Sequence, residues 1–145
     1  MAHVNTFANI PINVVTPPQV DGLAIAKTLL HEVQAMLKTL LDTGQNGILD
    51  LRALPTLGEE GYQFLKGKLG RGAVSGCIQS FGRSDIQETA FYGVWWVTHY
   101  NQDDELLTEL IEVNFFPEIL KSPRDDVLLG HVNLGNLLNE LAVNK

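Results

Sequence analysis

Hydrophobic and polar positions change their period several times along the 145 residues, and each change marks an element. Between residues 21 and 43, Leu23, Ala26, Leu30, Val33, Leu37 and Leu40 or Leu41 recur at intervals of mostly three or four, with Lys27, His31, Gln34 and Lys38 on the other side. That is the repeat of an amphipathic helix, for which Asp21 is the N-cap candidate and Gly44 the stop. Ile25, Leu29 and Met36 widen the stripe, which predicts a helix packed on two sides or one that contributes to a self-association surface. Ile48–Pro55 reads as a short strand running into a turn. Thr56 and Glu59 have capping-box spacing for a helix to Leu69, although Gly58, Gly61 and Gly67 weaken it. Ala73–Ser80 is a further strand. The stretch Ser84–Phe116 then gathers β-branched and aromatic residues, broken at Tyr92-Gly93 and at Asn101–Asp104, and predicts three strands. Pro117–Leu120 reads as a helical turn. Ser122-Pro123-Arg124-Asp125 has the form of a capped start, opening a last helix towards Ala142 that is expected to bury Val127 or Leu128, Val132, Leu134, Leu138 and Leu141.

The order helix, strand, helix, four mostly hairpin-connected strands, helix predicts an α+β domain over residues 21–145. Its expected form is a mainly antiparallel sheet of about four to five strands with helices packed on one face. Residues 1–20 hold three of the six prolines and no helical period, so they read as an extended arm with Phe7, Ile10, Ile12, Val14 and Val15 available for docking.

Composition narrows the function classes. A formal charge of −7 and a pI near 4.9, without a Lys/Arg cluster, disfavour nucleic acid and anionic membrane surfaces and favour a basic peptide as partner. No apolar run is long enough to cross a bilayer, and Met1–Thr6 resembles no signal peptide, so a cytoplasmic location without membrane insertion is expected. The single cysteine, Cys77, fits a reducing compartment and reads as an inert small hydrophobe in a strand.

Candidate chemistry is sparse. Gly67–Gly72 is glycine-rich but closes a helix and opens a strand, the reverse of a phosphate-binding loop. His3, His31, His99 and His131 stand apart with no second ligand at metal-binding spacing, so neither a metal nor a cofactor is expected. Glu88, Glu109 and Glu112 lie in strands, with Asp85 and His99 potentially near. They read as an acidic strip for a basic partner segment, or, were Glu88 or His99 brought into a closed pocket, as acid/base groups. Trp95 and Trp96 are adjacent and must point to opposite faces of a strand, one into the core and the other under a helix, in a groove or at an interface. The outward one is the leading interaction residue. Glu88, Trp95, Trp96 and Glu112 are therefore the candidate partner-binding set, with no catalytic residue assigned.

Five short stretches in order, Ile48–Pro55, Leu69–Val74, Ile86–Thr89, Gly93–Val97 and Ile111–Val113 followed by Pro117, resemble the C-terminal module of HupH/HyaF-type hydrogenase expression proteins over roughly residues 45–125. The resemblance implies a non-enzymatic assembly chaperone in the maturation of a membrane-associated uptake [NiFe]-hydrogenase. It implies binding of a hydrogenase subunit precursor, the small subunit favoured, with other maturation proteins as further partners. The alternative from the residues themselves is a non-catalytic homo-oligomeric scaffold with an unrelated client, formed as a homodimer through the first helix.

Overall fold

The computed structural model describes residues 11–15 and 21–144. Most of the expected arm, including Phe7 and Ile10, lies outside the described residues, whereas residues 11–15 form neither helix nor strand and are exposed. Helix α1 (Gly22–Thr43) begins where its cap predicts, with the Asp21 carboxylate accepting the Leu23 N–H at 3.0 Å. It ends at Gly44, in the left-handed region at φ 75°, whose N–H donates to the Leu40 carbonyl. Strand β1 (Gly47–Asp50) is shorter than expected, because the Asp50 side chain accepts the Arg52 N–H and turns the chain into 3-10 helices at Leu51–Ala53 and Pro55–Leu57. Thr56 falls inside the second of these, so helix α2 (Gly58–Leu69) follows Leu57 without the expected side-chain cap.

Four strands follow: β2 (Ser75–Gln79), β3 (Arg83–Glu88), β4 (Val94–Tyr100) and β5 (Leu106–Val113). Every pairing is antiparallel, in the order β1-β5-β4-β3-β2, so the fold is α+β with one five-stranded sheet. The Ser84–Phe116 stretch does supply three central strands, and Gly93 takes φ 83° in the turn between β3 and β4, where a side chain would be strained.

The two sheet faces are covered differently. On the first, α1 and α2 bury Ala26, Leu29, Val33, Leu40, Leu65 and Leu69 against Val94, Trp96, Ile111 and Val113. The helices meet at Gly22 and Gly61, where a Cβ on either would run into opposing backbone. On the second face Ile86, Trp95 and Val97 form a smaller cluster, topped by Leu120 from the strap of residues 114–121 that continues from β5. Helix α3 (Arg124–Val143) forms as the pattern predicts but packs on neither face. Val127, Leu128, Val132, Leu134, Leu138 and Leu141 are 48–59% exposed, contrary to the expectation that they are buried. Ser122 does not cap it; Pro123 occupies the cap position with no side-chain bond. No helix among the described residues is long and apolar enough to cross a membrane.

Candidate functional site

Strand register decides what the four candidate residues can do. Glu88, Trp95 and Glu112 are direct cross-strand neighbours on β3, β4 and β5, so they form one row on the strap-covered face. Trp96 points to the helix-covered face, as the alternation along a strand requires. All four are buried, at 5–6% exposure, so no open interaction face is built from them in this chain. The tryptophan that faces away from helices α1 and α2 is Trp95, and the strap closes over it. Its indole N–H donates to the Asn114 carbonyl at 3.0 Å, and its ring meets Phe116 edge-on at 6.5 Å. The Glu112 carboxylate accepts the Glu118 N–H at 2.9 Å and the Asn114 side-chain amide at 3.2 Å. Lys121 completes the set by donating to Glu118 at 2.7 Å. This salt link, followed by the Asn114 amide, holds the Glu118 carboxyl below its ordinary value. Trp95 and Glu112 thus anchor the strap.

Catalysis by Glu88 with His99 finds no geometry. Glu88 pairs with Trp95 and His99 with Ser84, four residues along the strand, which separates the two by about 13 Å. His99 instead shares a 2.8 Å hydrogen bond with Ser84. Among the described residues, no three His, Cys, Asp or Glu side chains are grouped to hold a metal ion.

The helix-covered face contains an open groove that the sequence did not reveal. Helix α2 covers only part of the sheet, and beside it two cross-strand rows, Ser75–Gln87–Trp96 and Cys77–Asp85–Thr98, floor a depression of about 920 Å³. Cys77 is therefore exposed on edge strand β2. Lys66 and Arg71 stand on the α2 side. The Lys66 ammonium lies 5.3 Å from the Trp96 ring and 5.4 Å from that of Tyr62, and the two rings meet edge-on at 5.6 Å. Arg71 donates to the Gln87 side chain at 2.8 Å, while the Gln87 amide is fixed by the Glu88 and Gly72 carbonyls. Tyr100 and Asp85 also line it, with Arg83 stacked on the Tyr100 ring at 4.4 Å and paired with Asp85 at 3.2 Å. Burial, reinforced by the neighbouring Glu109 carboxylate, pushes the Tyr62 hydroxyl well above the usual tyrosine range, keeping it a proton donor. Among the described residues, the buried indole N–H of Trp96 meets no acceptor. Aromatic surface, two exposed cationic side chains and the fixed Gln87 amide suit the groove to a polypeptide segment with mixed polarity.

Residues 23–141 match the family described as HupH hydrogenase expression protein, C-terminal conserved region. The chain belongs to the HupH family. The match exceeds the 45–125 span of the sequence resemblance and takes in α1 and most of α3. Among curated relatives, the hydrogenase expression/formation protein HupH of Rhodobacter capsulatus is 33% identical over 111 residues, covering 77% of this chain and 40% of the relative. HoxQ of Cupriavidus necator, also a hydrogenase expression/formation protein, is 35% identical over 105 residues, 72% of this chain and 36% of its own. The chain thus matches well under half the length of these relatives. Among solved structures, the hydrogenase expression protein HupH from Thiobacillus denitrificans superposes with a TM-score of 0.77 at 40% identity, covering 81% of this chain and 97% of that one.

Within the HupH fold, sequence reasoning located the row that anchors the strap and one groove residue, Trp96, but missed Lys66, Arg71 and Gln87, and Tyr62 that holds Lys66. The four-residue step from Tyr62 to Lys66 was the available signal, since it places both on one helix face.

Proposed function

We propose that this HupH-family chain is an assembly chaperone in the maturation of a membrane-associated [NiFe]-hydrogenase, acting in the cytoplasm on a subunit precursor, with the small subunit as its preferred client. The observation that carries this reading is the family match over residues 23–141, shared with relatives named hydrogenase expression/formation proteins. The groove beside α2 is the client seat: Tyr100 offers aromatic surface over a floor that includes the edge of Trp96, and Lys66, Arg71 and Asp85 offer charges to an incoming chain. A client carrying a basic export leader is also drawn by the net negative charge of the protein. Binding here is stoichiometric and involves no turnover.

Co-purification from the native host tests it. Tagged protein is expected to retain the small-subunit precursor and not mature hydrogenase, and a leaderless precursor is expected to be retained less well at moderate salt. Retention of neither subunit precursor, with an unrelated protein captured instead, would leave the family assignment standing and overturn the client.

A further inference from the structure

The two edges of the sheet are finished differently. Strand β1 has four residues, Met36 lies against its first residue, Gly47, and the Asp50 turn folds the chain away from it. Strand β2 has five, Ser75–Gln79, with neither a charge nor a proline among them. Those are the devices by which sheet edges refuse a further strand.

The ladder decides which backbone groups β2 leaves open. The Glu88 N–H donates to the Val74 carbonyl at 2.9 Å, and the antiparallel alternation then turns Gly76 and Ile78 towards β3. The N–H and C=O of Ser75, Cys77 and Gln79 point out of the sheet, and these residues are exposed. Among the described residues, no backbone group beyond β3 bonds to them. Donors and acceptors alternating along one line are matched by the backbone of an extended polypeptide.

This edge is continuous with the groove beside α2. Ser75 and Cys77 line it, and their short side chains leave Gln87, Asp85 and Arg71 reachable from beyond β2. An added strand would lie about 4.8 Å outside β2 and about 10 Å from Gln87. A glutamate on it and the Arg71 guanidinium, 2.8 Å from the Gln87 oxygen, together span that gap. Charge favours an acidic residue there, because Lys66 and Arg71 pair with no carboxylate among the described residues, whereas Asp85 is paired with Arg83. On the opposite face the neighbours are Gly76 and Ile78, with Leu120 beside them, so that side is apolar.

Resting on the reading of this groove as the client seat, we propose that the precursor binds through an extended segment that pairs with β2 as a sixth strand. Its side chains alternate between the groove, where a carboxylate meets Arg71, and the apolar side at Gly76 and Ile78. The basic leader, drawn by the overall charge, lies outside this contact.

Residue-resolved amide exchange by NMR tests it, on the full chain alone and saturated with purified leader-bearing small-subunit precursor. In the free chain Ser75, Cys77 and Gln79 are expected to exchange at least about tenfold faster than Gly76 and Ile78, and to slow at least about tenfold once precursor binds. Cys77→Pro removes an outward N–H and no ladder bond, and circular dichroism checks that it stays folded. Its affinity in calorimetry is expected to fall at least about tenfold, whereas Cys77→Thr, which keeps the N–H, stays within about twofold of wild type. Precursor that binds wild type and Cys77→Pro equally, without slowing these amides, overturns the added strand and leaves the client standing. No binding at about 100 µM overturns the client and this proposal with it. Slow exchange of the three amides already in the free chain also overturns it. That result would assign the edge to a second copy if protection rises with concentration, and to a segment of the same chain if it does not.

Discussion

Glu112 illustrates how a strand carboxylate can hold a chain crossing in place. Buried beside Trp95, it accepts two hydrogen bonds from the strap, so Glu112→Ala leaves the Glu118 N–H and the Asn114 amide without this acceptor. The expected cost is about 1–3 kcal/mol in urea denaturation, with a smaller loss for Glu112→Gln, which keeps an acceptor oxygen. Glu118 makes the strap sensitive to acid. Because Lys121, then Asn114, lower its folded pKa, its contribution is present above the unfolded carboxylate value and is lost as pH falls through the folded one. Thermal melts of wild type and Lys121→Ala are therefore expected to differ at about pH 6 and to converge at about pH 3. The opposite faces of Trp95 and Trp96 were legible from adjacency alone. The burial of both was not, because Trp95 is covered by irregular backbone whose path leaves no periodic trace. Cys77 lies in a strand as read, but strand pattern does not tell that the strand is the sheet edge.

Among the elements, α1 and the central strands could be read because cap, period and turn residues agree there. Helix α2 was harder, since its glycines lower helix propensity, and Gly61 has a packing reason that propensity does not contain. It lets α2 approach α1 at Gly22. Gly61→Ala, a stabilising change on propensity alone, is expected instead to destabilise by about 1–3 kcal/mol in chemical denaturation, because the methyl meets backbone that must move. Helix α3 shows the other limit. Its period correctly gives the helix and its apolar stripe, but not that the stripe lies exposed. Since the stripe is exposed within one chain, L134D is expected to change the unfolding free energy of dilute monomer by less than about 0.5 kcal/mol.

For the whole molecule, the α+β class and antiparallel order followed from the sequence of elements. The groove did not, because Lys66, Arg71, Gln87 and Trp96 come from α2, the loop after it, β3 and β4, and meet only when α2 leaves part of the sheet open. The acidic strip expected from Glu88, Glu109 and Glu112 is likewise absent from the surface, since all three are buried. Exposed carboxylates stand instead on the β4–β5 turn at Asp103, Asp104 and Glu105 and at the start of α3. The central claim, that the Trp96 groove receives a hydrogenase precursor, is tested most directly by titration calorimetry with purified leader-bearing small-subunit precursor. Saturable stoichiometric binding is predicted, weakened at least about tenfold by K66E/R71E, whose side chains edge the groove without supporting the core. Equal affinity of wild type and variant, or no heat of binding at about 100 µM precursor, would contradict it.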